Sequence, residues 1–177
     1  NGSIFDDGTD RQAWYEAQAL RYYSNILPTF SKPVKTAAAK LKSVDIRTIA
    51  PSHGLVWRKS PGRIVELYQK WADYAGNPGD AGVTLIYSTI YGNTARMMEV
   101  VAQGVADENL PILIFNSTLT SPSYILPELW TKQGVLVGSP TYEGGLYPSM
   151  CNLLEMASIK HVSNRCTALF GSFAWNG

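Results

Sequence analysis

From Val83 onward, short runs rich in β-branched and aromatic residues alternate with helix-periodic segments. The strand-like runs are Val83–Tyr87, Pro111–Phe115, Gly134–Val137 and Cys166–Phe170. Between them, Thr94–Ala106, Tyr124–Thr131 and Tyr147–Ala157 carry apolar residues at helical spacing. Such alternation predicts an α/β fold, a doubly wound parallel sheet with right-handed crossovers. Sheets of this kind bind ligands outside the carboxyl ends of their strands, where the strand order reverses. The segments that follow the strands are therefore where function is expected.

The segment after the first strand is Ser88-Thr89-Ile90-Tyr91-Gly92-Asn93-Thr94, and it leads directly into a helix with Met97, Met98, Val101 and Val105 at helical spacing. The two methionines are expected in the core. Strand, hydroxyl-rich turn and helix make an anion site, because the first amides of a helix lack internal partners and the helix dipole adds positive potential there. Ser88, Thr89 and Thr94 offer hydroxyls to the same anion. The segment has no Lys or Arg, so it is not a Walker P-loop, and it lacks the three spaced glycines of a dinucleotide fingerprint. A permanently bound phosphate suits it better than a transferred phosphoryl group. An ordinary strand-to-helix turn uses the same residue types, since Ser, Thr and Asn cap helices.

Two further segments discriminate. After Gly134–Val137 comes Gly138-Ser139-Pro140-Thr141-Tyr142-Glu143-Gly144-Gly145, and after Cys166–Phe170 comes Gly171-Ser172-Phe173-Ala174-Trp175. In each, aromatic residues are flanked by small ones. Tyr142 and Trp175 offer flat faces to a heterocycle, and the small residues let backbone amides approach its edge. One segment for phosphate and two for a flat ring describe a flavin mononucleotide (FMN) site. Its expected residues are Ser88, Thr89, Ile90, Tyr91, Gly92, Asn93, Thr94, Ser139, Pro140, Thr141, Tyr142, Gly144, Gly145, Ser172, Phe173, Ala174 and Trp175. Glu143 is expected as a solvated loop carboxylate.

The first 75 residues follow a different pattern. A helix is expected from Thr9 or Asp10, with Asp10 as N-cap, to Leu27, where Pro28 interrupts it. A second helix is expected over Lys35–Ser43, a short strand over Ile46–Ala50, and a third helix from Pro61 to about Tyr74. Residues 76–82, rich in glycine with Pro78, read as a linker. The expected organisation is thus residues 1–75, the linker 76–82, and the α/β unit 83–177.

Taken together, Tyr91-Gly92-Asn93-Thr94, Gly138-Ser139-Pro140-Thr141-Tyr142 and Gly171-Ser172-Phe173-Ala174-Trp175-Asn176-Gly177 resemble the flavodoxin-like domain of flavodiiron proteins. Ile4-Phe5-Asp6-Asp7, Tyr22-Tyr23-Ser24-Asn25-Ile26-Leu27 and Pro51-Ser52-His53-Gly54-Leu55-Val56-Trp57-Arg58 resemble the end of that family's metallo-β-lactamase-like domain. The resemblance implies FMN-dependent electron transfer to a non-haem di-iron centre that reduces dioxygen to water or nitric oxide to nitrous oxide. It makes His53 the last metal ligand in sequence, and implies a rubredoxin-type or flavin reductase donor and a head-to-tail homodimer. The family's His-x-Glu-x-Asp-His motif and its other ligands are not in this sequence, and one imidazole cannot build a two-iron site. The chain is therefore expected to be a fragment without stoichiometric iron, its flavodoxin sheet short of a last strand, with Cys166–Phe170 as a bare edge. No catalytic side chain is expected. A free-standing flavodoxin-type carrier and a flavodoxin-like quinone reductase are the alternatives; the His53 segment fits neither.

Composition narrows the partners. With 177 residues and a net charge of +1 the chain has no electrostatic footprint for nucleic acid. It has no run apolar and long enough to span a bilayer. Cys151 and Cys166 form no metal or redox spacing, and a reducing cytoplasmic setting is expected. His161 reads as a helix C-terminal cation.

Overall fold

The structure is a computed structural model that describes residues 4–174. The chain divides into two compact units, Asn1–Ala75 and Gly76–Gly177.

The first unit is built on three helices: α1 (Gln12–Ile26), α2 (Ser31–Leu41), reached through a 3-10 turn at Pro28–Phe30, and α3 (Pro61–Asp73). Pro28 ends α1 because it has no N–H to continue the ladder. The first turn of α2 needs no internal N–H partners, so Pro33 is accommodated there and the helix starts four residues earlier than its Ala/Lys pattern predicts. Asp10 does not cap α1. The N-cap is Arg11, whose N–H donates to the Thr9 hydroxyl at 3.0 Å. Pro61 opens α3, and Ile64, Leu67 and Trp71 bury one stripe of it. Trp71 and Tyr68 pack on the ring of Tyr23, the latter edge-on at 5.4 Å, while the Tyr23 hydroxyl bonds Ser31 Oγ at 2.9 Å. The strand expected over Ile46–Ala50 is not formed. Ile49 makes a single antiparallel bridge to Trp57, and without a longer neighbour the β-branched residues remain irregular.

The second unit runs β1 (Asp80–Tyr87), α4 (Asn93–Asp107), β2 (Ile112–Asn116), α5 (Pro122–Thr131), β3 (Lys132–Tyr142), β4 (Gly145–Leu146), α6 (Pro148–Ile159) and β5 (Cys166–Ser172). The parallel strands lie in the order β2-β1-β3-β5, and β4 folds back antiparallel on the end of β3. Right-handed crossovers that leave β1 toward β2 on one side, but run β2 to β3 and β3 to β5 on the other, put α4 on one face and α5 and α6 on the opposite face. The core lies under α5 and α6: Ile86, Val135 and Val137 meet Ile125, Leu126, Leu129, Met150 and Leu153. The order reverses between β1 and β3, and their carboxyl ends define the switch point.

Three expectations change here. Residues 80–82 belong to β1, with Asp80 paired to Lys132. The preceding residues are held by this unit: Asn164 Nδ2 donates to Gly76 O at 3.3 Å, and the Arg165 guanidinium donates to the carbonyls of Asn77, Ser163, Leu129 and Trp130. That cation also closes the carboxyl end of α5, where the helix dipole favours it. β3 runs five residues beyond Val137 because Ser139 and Pro140 pair with Gly171 and Ser172, drawing loop-type residues into the sheet. Met97 is 38% exposed, so it is not a core residue.

At the centre of the sheet Thr84 is fully buried between Leu113 and Val135, and its hydroxyl has no partner among the described residues. A buried hydroxyl without a partner costs about 1–3 kcal/mol. Thr84→Val keeps the shape and removes the oxygen. Thermal melts of the two chains are expected to show the variant more stable by about 1 kcal/mol; a lower melting temperature contradicts this.

Candidate functional site

Three segments meet at the carboxyl ends of β1, β3 and β5. They enclose a cavity of ≈ 140 Å³. The first segment contributes Thr89, Ile90, Tyr91, Asn93 and Thr94; the second contributes Pro140 and Thr141; the third contributes Ser172, Phe173 and Ala174. None of these side chains carries a charge. The structure thus brings together residues predicted from all three segments. Ser88 and Ser139 lie beneath the cavity, buried, and not on its wall. Gly92 is the N-cap of α4, while Tyr142, Gly144 and Gly145 form the adjoining β3–β4 hairpin. Trp175 falls outside the described residues.

The local geometry suits an anion. Gly92 takes the left-handed conformation, φ 86°, that glycine adopts without strain, and its N–H donates to Thr89 Oγ1 at 3.0 Å. No side chain caps α4 and its first turn has no acidic residue. The first intrahelical bond runs from Arg96 N–H to Gly92 O at 3.0 Å. The amides of Asn93, Thr94 and Ala95 precede it and remain available to a ligand.

The strand ends are cross-tied. Ser88 N–H donates to Gly138 O at 2.9 Å, and Ser88 Oγ donates to Ser139 Oγ at 3.3 Å. Thr94 and Ser172 share a hydroxyl–hydroxyl bond of 2.9 Å that joins the head of α4 to the end of β5. Ser117, after β2, is joined to Ser149 of α6 at 2.8 Å. This last tie was not predicted; two separate serines in unrelated segments carry no sequence signal. Tyr147, which no motif singled out, places its ring edge-on to Tyr142 at 5.7 Å. Glu143 sits at the tip of the β3–β4 turn with φ 47°, in the left-handed region that favours Gly, Asn or Asp.

In the first unit His53 lies on a turn closed by Gly54, φ 94°, in a pocket of ≈ 390 Å³ that also includes Tyr15, Tyr22, Trp57 and Tyr68. The ring of Tyr22, which is 41% exposed, lies 5.7 Å from the imidazole. Among the described residues no group of three or more His, Cys, Asp or Glu is placed to hold a metal ion. The residues present do not fit a two-iron centre by themselves.

A parallel sheet wound on both faces, with an uncharged cavity at its switch point against the head of a helix, defines a flavodoxin-like domain. No family model matches the chain. Over 98% of its length the chain is 36% identical to the anaerobic nitric oxide reductase flavorubredoxin of Enterobacter sp. strain 638, and it is equally similar to the protein of that name from Escherichia coli O1:K1. Among solved structures, the rubredoxin oxygen:oxidoreductase of Desulfovibrio gigas matches with a TM-score of 0.89 and 24% identity, over 100% of this chain and 44% of that one. The flavodiiron protein of Giardia intestinalis matches with a TM-score of 0.91 and 22% identity, over 100% of this chain and 43% of that one. Over its whole length the chain is thus similar to flavorubredoxins in sequence and to flavodiiron proteins in fold. It spans 36% of the length of the curated relatives it matches.

Proposed function

We propose that the second unit binds FMN and serves electron transfer to a non-haem di-iron centre that reduces dioxygen to water, nitric oxide to nitrous oxide, or both. The observation that carries this is the convergence of three strand-end segments on one uncharged cavity at the uncapped head of α4. The relatives' names, a nitric oxide reductase and an oxygen:oxidoreductase, support both substrates equally. Residues 1–75 are then the C-terminal part of a metallo-β-lactamase-like domain, and residues 76–177, whose first strand starts at Asp80, belong to the flavodoxin-like domain. His53 is the one metal ligand this part supplies; the others lie outside this chain. A rubredoxin-type or flavin reductase donor, a head-to-tail pair of subunits and a cytoplasmic setting complete the proposal.

The residues present fit FMN. The amides of Asn93, Thr94 and Ala95, with the Thr89 and Thr94 hydroxyls, would hold the phosphate. Charge neutralisation comes from the helix alone, since no Lys or Arg lines the cavity. Pro140, Thr141, Phe173 and Ala174, on the cavity wall, would lie against the rest of the ligand, and Tyr142 on the adjoining hairpin would offer it a ring face. Bound FMN would supply the redox chemistry; this chain's own residues would bind and orient it.

Titrating the full chain with FMN tests this by quenching of flavin fluorescence. One FMN per chain is expected, with Thr94→Ala weakening FMN about tenfold or more while leaving riboflavin, which has no phosphate, nearly unaffected. A chain that quenches neither flavin contradicts the proposal.

A further inference from the structure

Ser139 is the point where the ties beneath the cavity meet. It is 8% exposed, and its Oγ makes three hydrogen bonds. It accepts Ser88 Oγ–H at 3.3 Å and Tyr147 N–H at 3.1 Å, and it donates to Pro140 O at 3.1 Å. One proton and two lone pairs are all a serine hydroxyl has, so nothing is left over for a ligand. The Tyr147 N–H lies at the start of α6, and the Tyr147 ring meets Tyr142 edge-on at 5.7 Å with an interplanar angle of 74°. A single buried hydroxyl therefore connects the end of β1 to the turn that carries the aromatic pair. The anion end of the cavity is held separately, by the head of α4 and the Thr94–Ser172 bond.

Resting on the flavin site proposed above, we propose that Ser139 is a positioning residue: its hydroxyl sets the Tyr142–Tyr147 pair against the ring end of the ligand and has no part in holding the phosphate. Without Oγ, the Ser88 hydroxyl and the Tyr147 N–H lose their acceptor in a buried place, and the start of α6 must shift to find another. The tyrosine pair moves with it. The phosphate segment keeps its own anchor, Ser88 N–H to Gly138 O.

The test uses the full chain, with FMN and riboflavin as probes and with flavin fluorescence and visible circular dichroism as readouts. Ser139→Ala is expected to raise the Kd of both flavins by the same factor, about tenfold, and to shift the circular dichroism of the bound flavin toward that of Tyr142→Ala. Combining the two substitutions is expected to cost no more than Tyr142→Ala alone, since both remove the same contact. Unchanged Kd and circular dichroism in Ser139→Ala overturn the proposal, as do additive losses or a loss confined to FMN. Should Ser139→Ala not fold, Tyr147→Leu keeps the N–H and removes the ring; it must then match Tyr142→Ala, and wild-type affinity in it overturns the proposal. Wild-type protein that binds neither flavin removes the site itself, an outcome distinct from all of these.

Discussion

Replacing Asp6 with alanine is expected to cost the first unit about 3–5 kcal/mol and to melt the segment that starts α3. Asp6 is 5% exposed. Its Oδ1 accepts the N–H groups of Arg58 and Lys59, each at 3.0 Å, and its Oδ2 accepts that of Ser60 at 2.9 Å. Ser60 is the N-cap of α3 and uses no side chain for capping, so a carboxylate far away in sequence fixes the three residues that launch the helix. Alanine leaves three donors without an acceptor. Asparagine is only partly better, since its amide nitrogen faces one of the donors. Hydrogen exchange by mass spectrometry separates the units: peptides covering 58–73 should lose protection in Asp6→Ala, while those covering 83–172 keep it.

The same contact predicts a pH dependence. Burial pushes the Asp6 carboxyl up, but the N–H donors of Lys59, Arg58 and Ser60 outweigh it and hold the group below its ordinary value of 3.8. The ionised form is thus favoured by folding. Its contribution is complete above the ordinary aspartate range and is lost as pH falls through the depressed folded value. Wild-type stability should drop below about pH 4, and Asp6→Asn should flatten that drop. Equal acid sensitivity in the two proteins would falsify the assignment.

Much of the second unit was readable because its periodicity changes abruptly. At Tyr87 a continuous apolar run ends, and the helical rhythm starts at Asn93, within one residue of where it was expected. The strands that escaped were made by pairing and not by propensity. Ser139 and Pro140 are loop-type residues, yet they continue β3 because β5 lies alongside to accept them, and β4 pairs with Thr141 beyond. Ile46–Ala50 is the converse, β-prone residues with only Trp57 opposite them. The resemblance includes Asp6, but its role at the start of α3 left no local signal, since its partners lie 52 to 54 residues along the chain. In the candidate site the three segments converge, but some of their hydroxyls turn elsewhere than expected. Ser88 is expected to turn its hydroxyl toward a ligand and Ser139 to let backbone amides approach one, whereas the two hydroxyls bond to each other; Thr94 lines the cavity as expected and also bonds Ser172. A serine beside a cavity serves either purpose, and only the packed sheet decides which.

The steric limit at Gly171 should be the most damaging single point in the candidate site. Gly171 pairs with Ser139, and a Cβ placed there would stand 2.3 Å from Ser139 O. Real Cβ atoms do not come so near a carbonyl oxygen, and backbone cannot swing aside as a side chain can. In Gly171→Ala the end of β5 must therefore draw away from β3. Ser172 goes with it and gives up its bond to Thr94, and Phe173 and Ala174 leave the cavity wall. The expected cost is about 2–4 kcal/mol in stability, in the range of overpacked cores, together with at least about a hundredfold weaker FMN binding, since two of the three segments lose their register. Two other glycines serve as controls. At Gly138 the atoms nearest an added Cβ all belong to the ring of Phe170, a side chain able to turn away. At Gly144, φ 79°, it meets nothing, so alanine there costs only the left-handed conformation, about 1 kcal/mol. Flavin titrations of the three variants should rank Gly171→Ala far below the other two. If Gly171→Ala binds FMN as tightly as Gly144→Ala does, the third segment is not part of the site.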